Sequence, residues 1–151
     1  FGENAYCTKT DRTITAAGMK TGRPVPANSI MVACIASIGK IAINITEGIT
    51  NQQINTIIPN DNYNFIFLYY LLSLNVEKIK GKAAQTTIPI INKEDFSNLE
   101  FRVPDLAEQR RIATILLGID AKIAAEEKVL EKYEKVKMGL MERLLEGGNN
   151  S

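Results

Sequence analysis

Pro104-Asp105-Leu106-Ala107-Glu108-Gln109-Arg110-Arg111-Ile112 opens the longest periodic run in the chain. From Ile112 the sequence places Leu116, Ile119, Ile123, Glu126, Leu130, Tyr133, Lys137, Leu140 and Leu144 at steps that alternate strictly between four and three. That alternation is the heptad signature of a coiled-coil seam, because it keeps one stripe of a helix turned toward a partner. Eight of these ten positions are apolar or aromatic, Glu126 and Lys137 being the exceptions. Asp105 suits the N-cap, Glu108 three residues on completes a capping box, and Gly147 suits the C′ position. A helix from 105 to 146 is about 60 Å long at about 1.5 Å per residue, against about 11–12 residues for an average helix. A stripe of that length needs a partner.

Working outward, the 151 residues are 45% hydrophobic and 23% charged, enough for one modest core plus an extension. The expected division is a folded domain at 1–104, the helix at 105–146 and a disordered tail at 147–151. No apolar run reaches the 18 or more residues of a membrane span, and the start lacks a signal-peptide pattern, so a cytoplasmic location and no membrane partner are expected. The chain opens on Phe1 rather than Met, which reads as a piece of a longer product whose first element is incomplete. Cys7 and Cys34 stand outside any CxxC pattern and histidine is absent, so free thiols and no metal site are expected.

Toward the N-terminus, Gly18, Gly22, Pro24 and Pro26 punctuate a polar loop region, with a short strand expected near Arg12 to Thr15. Ser29 to Ala36 and Lys40 to Ile45 read as a hairpin or neighbouring strands, and Ile54 to Ile58 as a strand stopped by Pro59. Phe65 to Leu74 reads as a core helix with Asn64 as N-cap. Thr86 to Ile91 and Leu99 to Val103 read as two further strands around a short helix start at Asn92 to Asp95. The fold class is therefore α+β, a mixed α/β domain of short strands followed by one long coiled-coil helix.

Catalytic patterns are missing. Gly39-Lys40 has Cys34 where a P-loop needs glycine and Ile41 where it needs Ser or Thr. Asp105 and Glu108 are explained by capping, and neither a GxSxG elbow nor a pair of carboxylates in a plausible pocket is found. Asn44-Ile45-Thr46 matches a glycosylation sequon inside a predicted strand and reads as accidental. No enzyme and no cofactor are expected.

Recognition remains. The formal net charge is only +1, yet Lys9, Arg12, Lys20, Arg23 and Lys40 face Asp11 alone between Thr8 and Thr46. With Thr10 and Thr21, and with Lys78, Lys80, Lys82, Gln85, Thr86 and Thr87 further on, they are donors of the sort that contact phosphates and base edges. The two basic segments are expected to share one face, and residue types alone leave ordinary solvated loops as the plainer reading.

The run Val103 to Ala113 resembles the P-x-L-x-E-Q-x-x-I entry to the conserved helix in DNA specificity subunits of type I restriction-modification systems. Leu116 to Asp120, Lys137-Met138-Gly139-Leu140-Met141 and Leu144-Leu145 resemble the rest of that helix. Ser29 to Ile35 through Ile38-Gly39-Lys40, Thr50-Asn51-Gln52-Gln53-Ile54-Asn55, Leu68-Tyr69-Tyr70-Leu71-Leu72 and Pro89 to Phe96 are similar, in order, to the family's target recognition domains. Gly81-Lys82-Ala83-Ala84-Gln85-Thr86-Thr87 departs from the usual signal. The resemblance covers residues 29 to 146, one recognition domain and one helix where the family pairs two of each.

It implies a non-catalytic, sequence-specific reader of double-stranded DNA that holds methyltransferase subunits and, through them, a restriction subunit. Asn51, Gln52 and Gln53 are then expected to position backbone or phosphate rather than to read adenines. The alternative is a dimeric assembly or scaffold protein, or a competitor, of the same fold with degenerate DNA binding. In an antiparallel homodimer Glu126 can face Lys137, which puts the two-fold axis between Glu131 and Lys132. The same register pairs Ile119 with Leu144, Ile123 with Leu140 and Leu130 with Tyr133. A parallel pair in register sets Glu126 against Glu126. The helix then measures the gap between two DNA half-sites.

Overall fold

A computed structural model describes residues 5–10, 13–84 and 88–145. The expected residues Arg12, Gln85, Thr86, Thr87, Glu146 and Gly147 lie outside that set. The chain divides into two compact units, Phe1–Ala113 and Thr114–Ser151.

The first unit is built on four short strands: β1 (Tyr6–Cys7), β2 (Ile30–Ala33), β3 (Ile41–Asn44) and β4 (Ile54–Ile57). Their order is β1-β3-β2-β4, with β1 parallel to β3 and β2 antiparallel to both neighbours. The hairpin expected from the Ile- and Val-rich runs is β2–β3, with Ile30 opposite Ile43 and Val32 opposite Ile41. Its turn requires Gly39, whose φ is +85° and whose missing Cβ would come within 2.5 Å of Val76 Cγ1. A short helix α1 (Ala16–Met19) follows β1.

One face of the sheet turns Ile30, Val32, Cys34 and Ile43 against Leu72, Ile79 and Ile91, so the core comes from the sheet, from α2 (Phe65–Leu74), from α3 (Val76–Lys80) and from the segment after residue 88. Asn64 caps α2 as expected, its side chain accepting from Phe67 N at 2.9 Å. The helix is less buried than its composition suggests: Phe67 and Leu72 are buried, and Leu74 is 86% exposed. The sheet covers one side of it only.

Two expected strands are absent among the described residues. Thr13–Thr15 is irregular because Thr15 serves as the N-cap of α1, its Oγ1 accepting from Gly18 N at 3.1 Å; the local strand is Tyr6–Cys7. Leu99–Val103 is irregular too, though Leu99 and Phe101 pack on the core. The described part of the 86–91 stretch forms isolated bridges from Ile90 to Ile35 and Ala84, where Pro89 lacks the amide a continuous ladder needs. The short helix at Asn92 is α4 (Lys93–Ser97), with Asn92 Oδ1 accepting from Asp95 N at 2.8 Å.

The last helix, α5 (Leu106–Leu145), is 40 residues long. Asp105 Oδ1 accepts from Glu108 N at 2.9 Å, the expected half of the capping box, while the Glu108 carboxylate lies 3.7 Å from Arg111. Its first turns, to Ala113, belong to the first unit.

Candidate functional site

The sheet register fixes where each candidate residue lies. β2 ends and β3 begins at the hairpin turn, and β4 begins opposite Ala33, so Lys40 and Asn51–Gln53 share one end of the sheet. The turn also abuts α3, since a Cβ on Gly39 would lie 3.4 Å from Lys80 Cε. β1 runs parallel to β3 with Cys7 beside Asn44, so Lys9 leaves at the other end. Lys20, Thr21 and Arg23 belong there as well, because Val25 bridges Gly48 just beyond β3. The two basic segments are thus rooted at opposite ends of the sheet rather than side by side.

They also differ in freedom. Lys78 donates to the Glu100 carbonyl and lies 4.5 Å from the centre of the Phe101 ring, beside a shallow depression lined by Leu71, Asn75 and Arg102. Lys80 pairs with Glu77 at 2.8 Å. Lys9, Lys20, Arg23, Lys40 and Lys82 are exposed and enter no ion pair among the described residues. Asn51 works on the backbone: its Oδ1 accepts from Gln53 N at 3.0 Å, and the Gln53 carbonyl accepts from Cys34 N at 2.9 Å. Gln52 and Gln53 are exposed.

Two buried amides carry structure that the sequence reading passed over. Asn44 of the sequon accepts from Ser29 N at 2.8 Å and donates to the carbonyls of Pro26 at 2.8 Å and Thr46 at 3.0 Å, so its amide is fully engaged. Gln109 is 1% exposed, accepts from Asn64 N at 2.9 Å and donates to the Pro104 carbonyl at 2.9 Å. It ties the start of α5 to the turn that begins α2, within the first unit. The signal was in the sequence, a glutamine at the a position of the first heptad, one turn before Ile112, where an apolar residue is the rule.

Cys34 is buried and Cys7 half-buried, both as free thiols; burial pushes the Cys34 thiol up, against hydrogen bonding from Asn55, whose Nδ2 lies 3.0 Å from the sulfur. No group of three or more His, Cys, Asp or Glu among the described residues is arranged to hold a metal. No described helix is long and apolar enough to cross a membrane.

In the second unit every described side chain except Leu116 and Leu117 at its start is exposed. Ile119, Ile123, Leu130, Tyr133, Leu140 and Leu144 of the seam are all exposed, and Val129, Val136 and Met141 widen the apolar surface beside them. Glu131 and Lys135 pair four residues apart, away from that stripe.

The family described as type I restriction modification DNA specificity domain matches residues 4–135. The MjaIX type I restriction enzyme specificity subunit of Methanocaldococcus jannaschii is 31% identical over 142 residues, 91% of this chain and 33% of the relative. The HindI specificity subunit of Haemophilus influenzae is 34% identical over 94 residues, 60% of this chain and 20% of the relative. The chain therefore spans a third or less of these relatives. Among solved structures, one on complex assembly and conformational transition of the type I R-M system superposes with a TM-score of 0.70 at 23% identity, over 82% of this chain and 31% of that one. The S subunit from M. genitalium gives 0.62 at 24% identity, over 83% and 34%. These likenesses show the fold, a small mixed sheet with a long helix. The chain belongs to the family of type I restriction modification DNA specificity domains.

Proposed function

We propose that this chain is a non-catalytic DNA-reading half of a type I specificity subunit, with a target recognition domain at residues 1–104 and a pairing helix at 105–146. The recognition domain contacts duplex DNA through its basic loops, and the helix pairs antiparallel with a second copy or with an equivalent helix of a longer parent. The observation that carries the pairing is the row of exposed apolar residues from Ile119 to Leu144 at heptad spacing. In the register that sets Glu126 against Lys137, each protomer ends the helix pair with its own recognition domain, as two half-sites require. Beyond a and d, the g column carries the exposed Ile115, Val129 and Val136 alongside Lys122 and Arg143, apolar surface beyond what a two-helix seam uses and suited to docking methyltransferase subunits. The restriction subunit joins through them.

The engagement of Lys78 and Lys80 within the fold favours a second reading, a dimeric scaffold with weak DNA binding. Selection from random duplexes decides between the two. The DNA reading expects an enriched bipartite sequence whose affinity falls steeply with salt, about 0.9 log units per log unit for each neutralised phosphate. The scaffold reading expects no enrichment and a dimer that still binds methyltransferase subunits.

A further inference from the structure

The loop that carries Lys20 and Arg23 is held at several points. Thr21 Oγ1 donates to the Gly18 carbonyl at 2.9 Å, and Gly22 lies so close to Ile49 that a Cβ would come 3.0 Å from its Cγ2. Val25 and Gly48 exchange two backbone hydrogen bonds, of 2.8 and 3.1 Å. The buried Asn44 amide then grips the Pro26 carbonyl. Arg23 stands one residue before Pro24, with its fixed φ, and two before that doubly bonded bridge. Its side chain is exposed from a fixed root.

A fixed root matters for reading bases and little for contacting phosphates, which a flexible lysine reaches equally well. Arginine presents a planar fork that matches O6 and N7 of guanine, the commonest specific contact in the major groove, whereas lysine acts as a point charge. Glu47, exposed on the facing loop, is unfavourable beside a phosphate and tolerable beside base edges, where a carboxylate can accept from cytosine. Ile49, on the same loop, supplies an exposed apolar surface of the kind that meets a thymine methyl. Arg102, by contrast, lines the depression beside Lys78 and Phe101.

We propose that this end of the sheet, where Lys20–Arg23 meets Glu47–Ile49, is the base-reading edge, and that Arg23 is a specificity-determining residue that reads a guanine. Lys9 and Lys20 take flanking phosphates. The assignment rests on the DNA-binding reading above and says which end of the domain does the reading.

The test is selection from random duplexes with the full chain, repeated with Arg23→Ala, Arg23→Lys and Lys20→Ala. With Arg23→Ala, discrimination at one guanine drops by about tenfold or more while preferences elsewhere persist. Arg23→Lys recovers only part of it. Lys20→Ala weakens all duplexes alike and lowers the salt slope by about 0.9. A uniform loss for Arg23→Ala with every preference intact overturns the assignment, and so does an unchanged selection. If the folded wild-type chain enriches nothing, the DNA-binding reading itself fails, a result separable from either of the others.

Discussion

Gln109 and Leu130 stand three heptads apart on one helix and invert the usual rule: the amide is 1% exposed and the leucine 59% exposed. Burying an amide is tolerable only when its hydrogen bonds are made, and Gln109 makes them to Asn64 and Pro104. Exposing Leu130, with Tyr133 at 69%, is tolerable only when another surface covers them. At Gln109 the first unit satisfies a buried amide internally, whereas along its heptad stripe the second presents apolar side chains outward. Substitutions in the two should fail differently, one in stability and the other in association.

The largest expected effect is Leu130→Asp, which puts a charge into the centre of the seam. Sedimentation should show association weakened about a hundredfold, near 2.8 kcal/mol at about 1.4 kcal/mol per factor of ten, while unfolding of the sheet-bearing unit is unchanged. Next comes Gln109→Ala, which leaves Asn64 N and the Pro104 carbonyl without their partner. It should cost about 2–3 kcal/mol in denaturant unfolding and leave association intact once the chain is folded. If Gln109→Ala instead reduces only dimer mass, the contrast between the two regions is wrong.

Smaller is the charge pair. Lys137→Glu should weaken association by about 1 kcal/mol by setting two carboxylates together, and Glu126→Lys with Lys137→Glu should restore it. Smallest is Cys34. Burial raises its thiol above the ordinary 9.0, so the folded state holds the proton more tightly; its contribution to stability is complete below about pH 9 and declines as pH rises further. At neutral pH a thiol reagent should modify half-buried Cys7 before buried Cys34.

Local signals explain what was legible in the sequence. Runs rich in Ile, Val and Ala mark β2 and β3, Asn64 and Asn92 mark helix starts through their own side-chain caps, and heptad spacing marks α5 as far as its described end at Leu145. What stayed hidden depends on contacts distant in sequence. Leu99–Val103 has strand composition yet is irregular, its Leu99 and Phe101 packing on the core, and nothing local to Asn44 announces that its amide joins Ser29 and Pro26. The candidate interface was legible as residue types, but its division between two ends of the sheet follows from β1 running parallel to β3, which no local pattern encodes. Lys78 reads from sequence as a donor to phosphates, and its partners Glu100 and Phe101 come from a separate segment.

The antiparallel seam is the central claim, and disulfide trapping between its ends tests it most directly. With Cys7 and Cys34 replaced by Ser and Ala, one chain carries Ile119→Cys and a second, tagged, chain carries Leu144→Cys. Antiparallel pairing about the Glu131–Lys132 axis sets these two cysteines opposite each other, whereas two copies of Ile119→Cys stand about 25 residues, or roughly 37 Å, apart along the helices. The account predicts a mixed disulfide between the two chains and none when Ile119→Cys is oxidised alone. Efficient cross-linking of Ile119→Cys to itself, or a chain that remains a monomer at tens of micromolar, would contradict it.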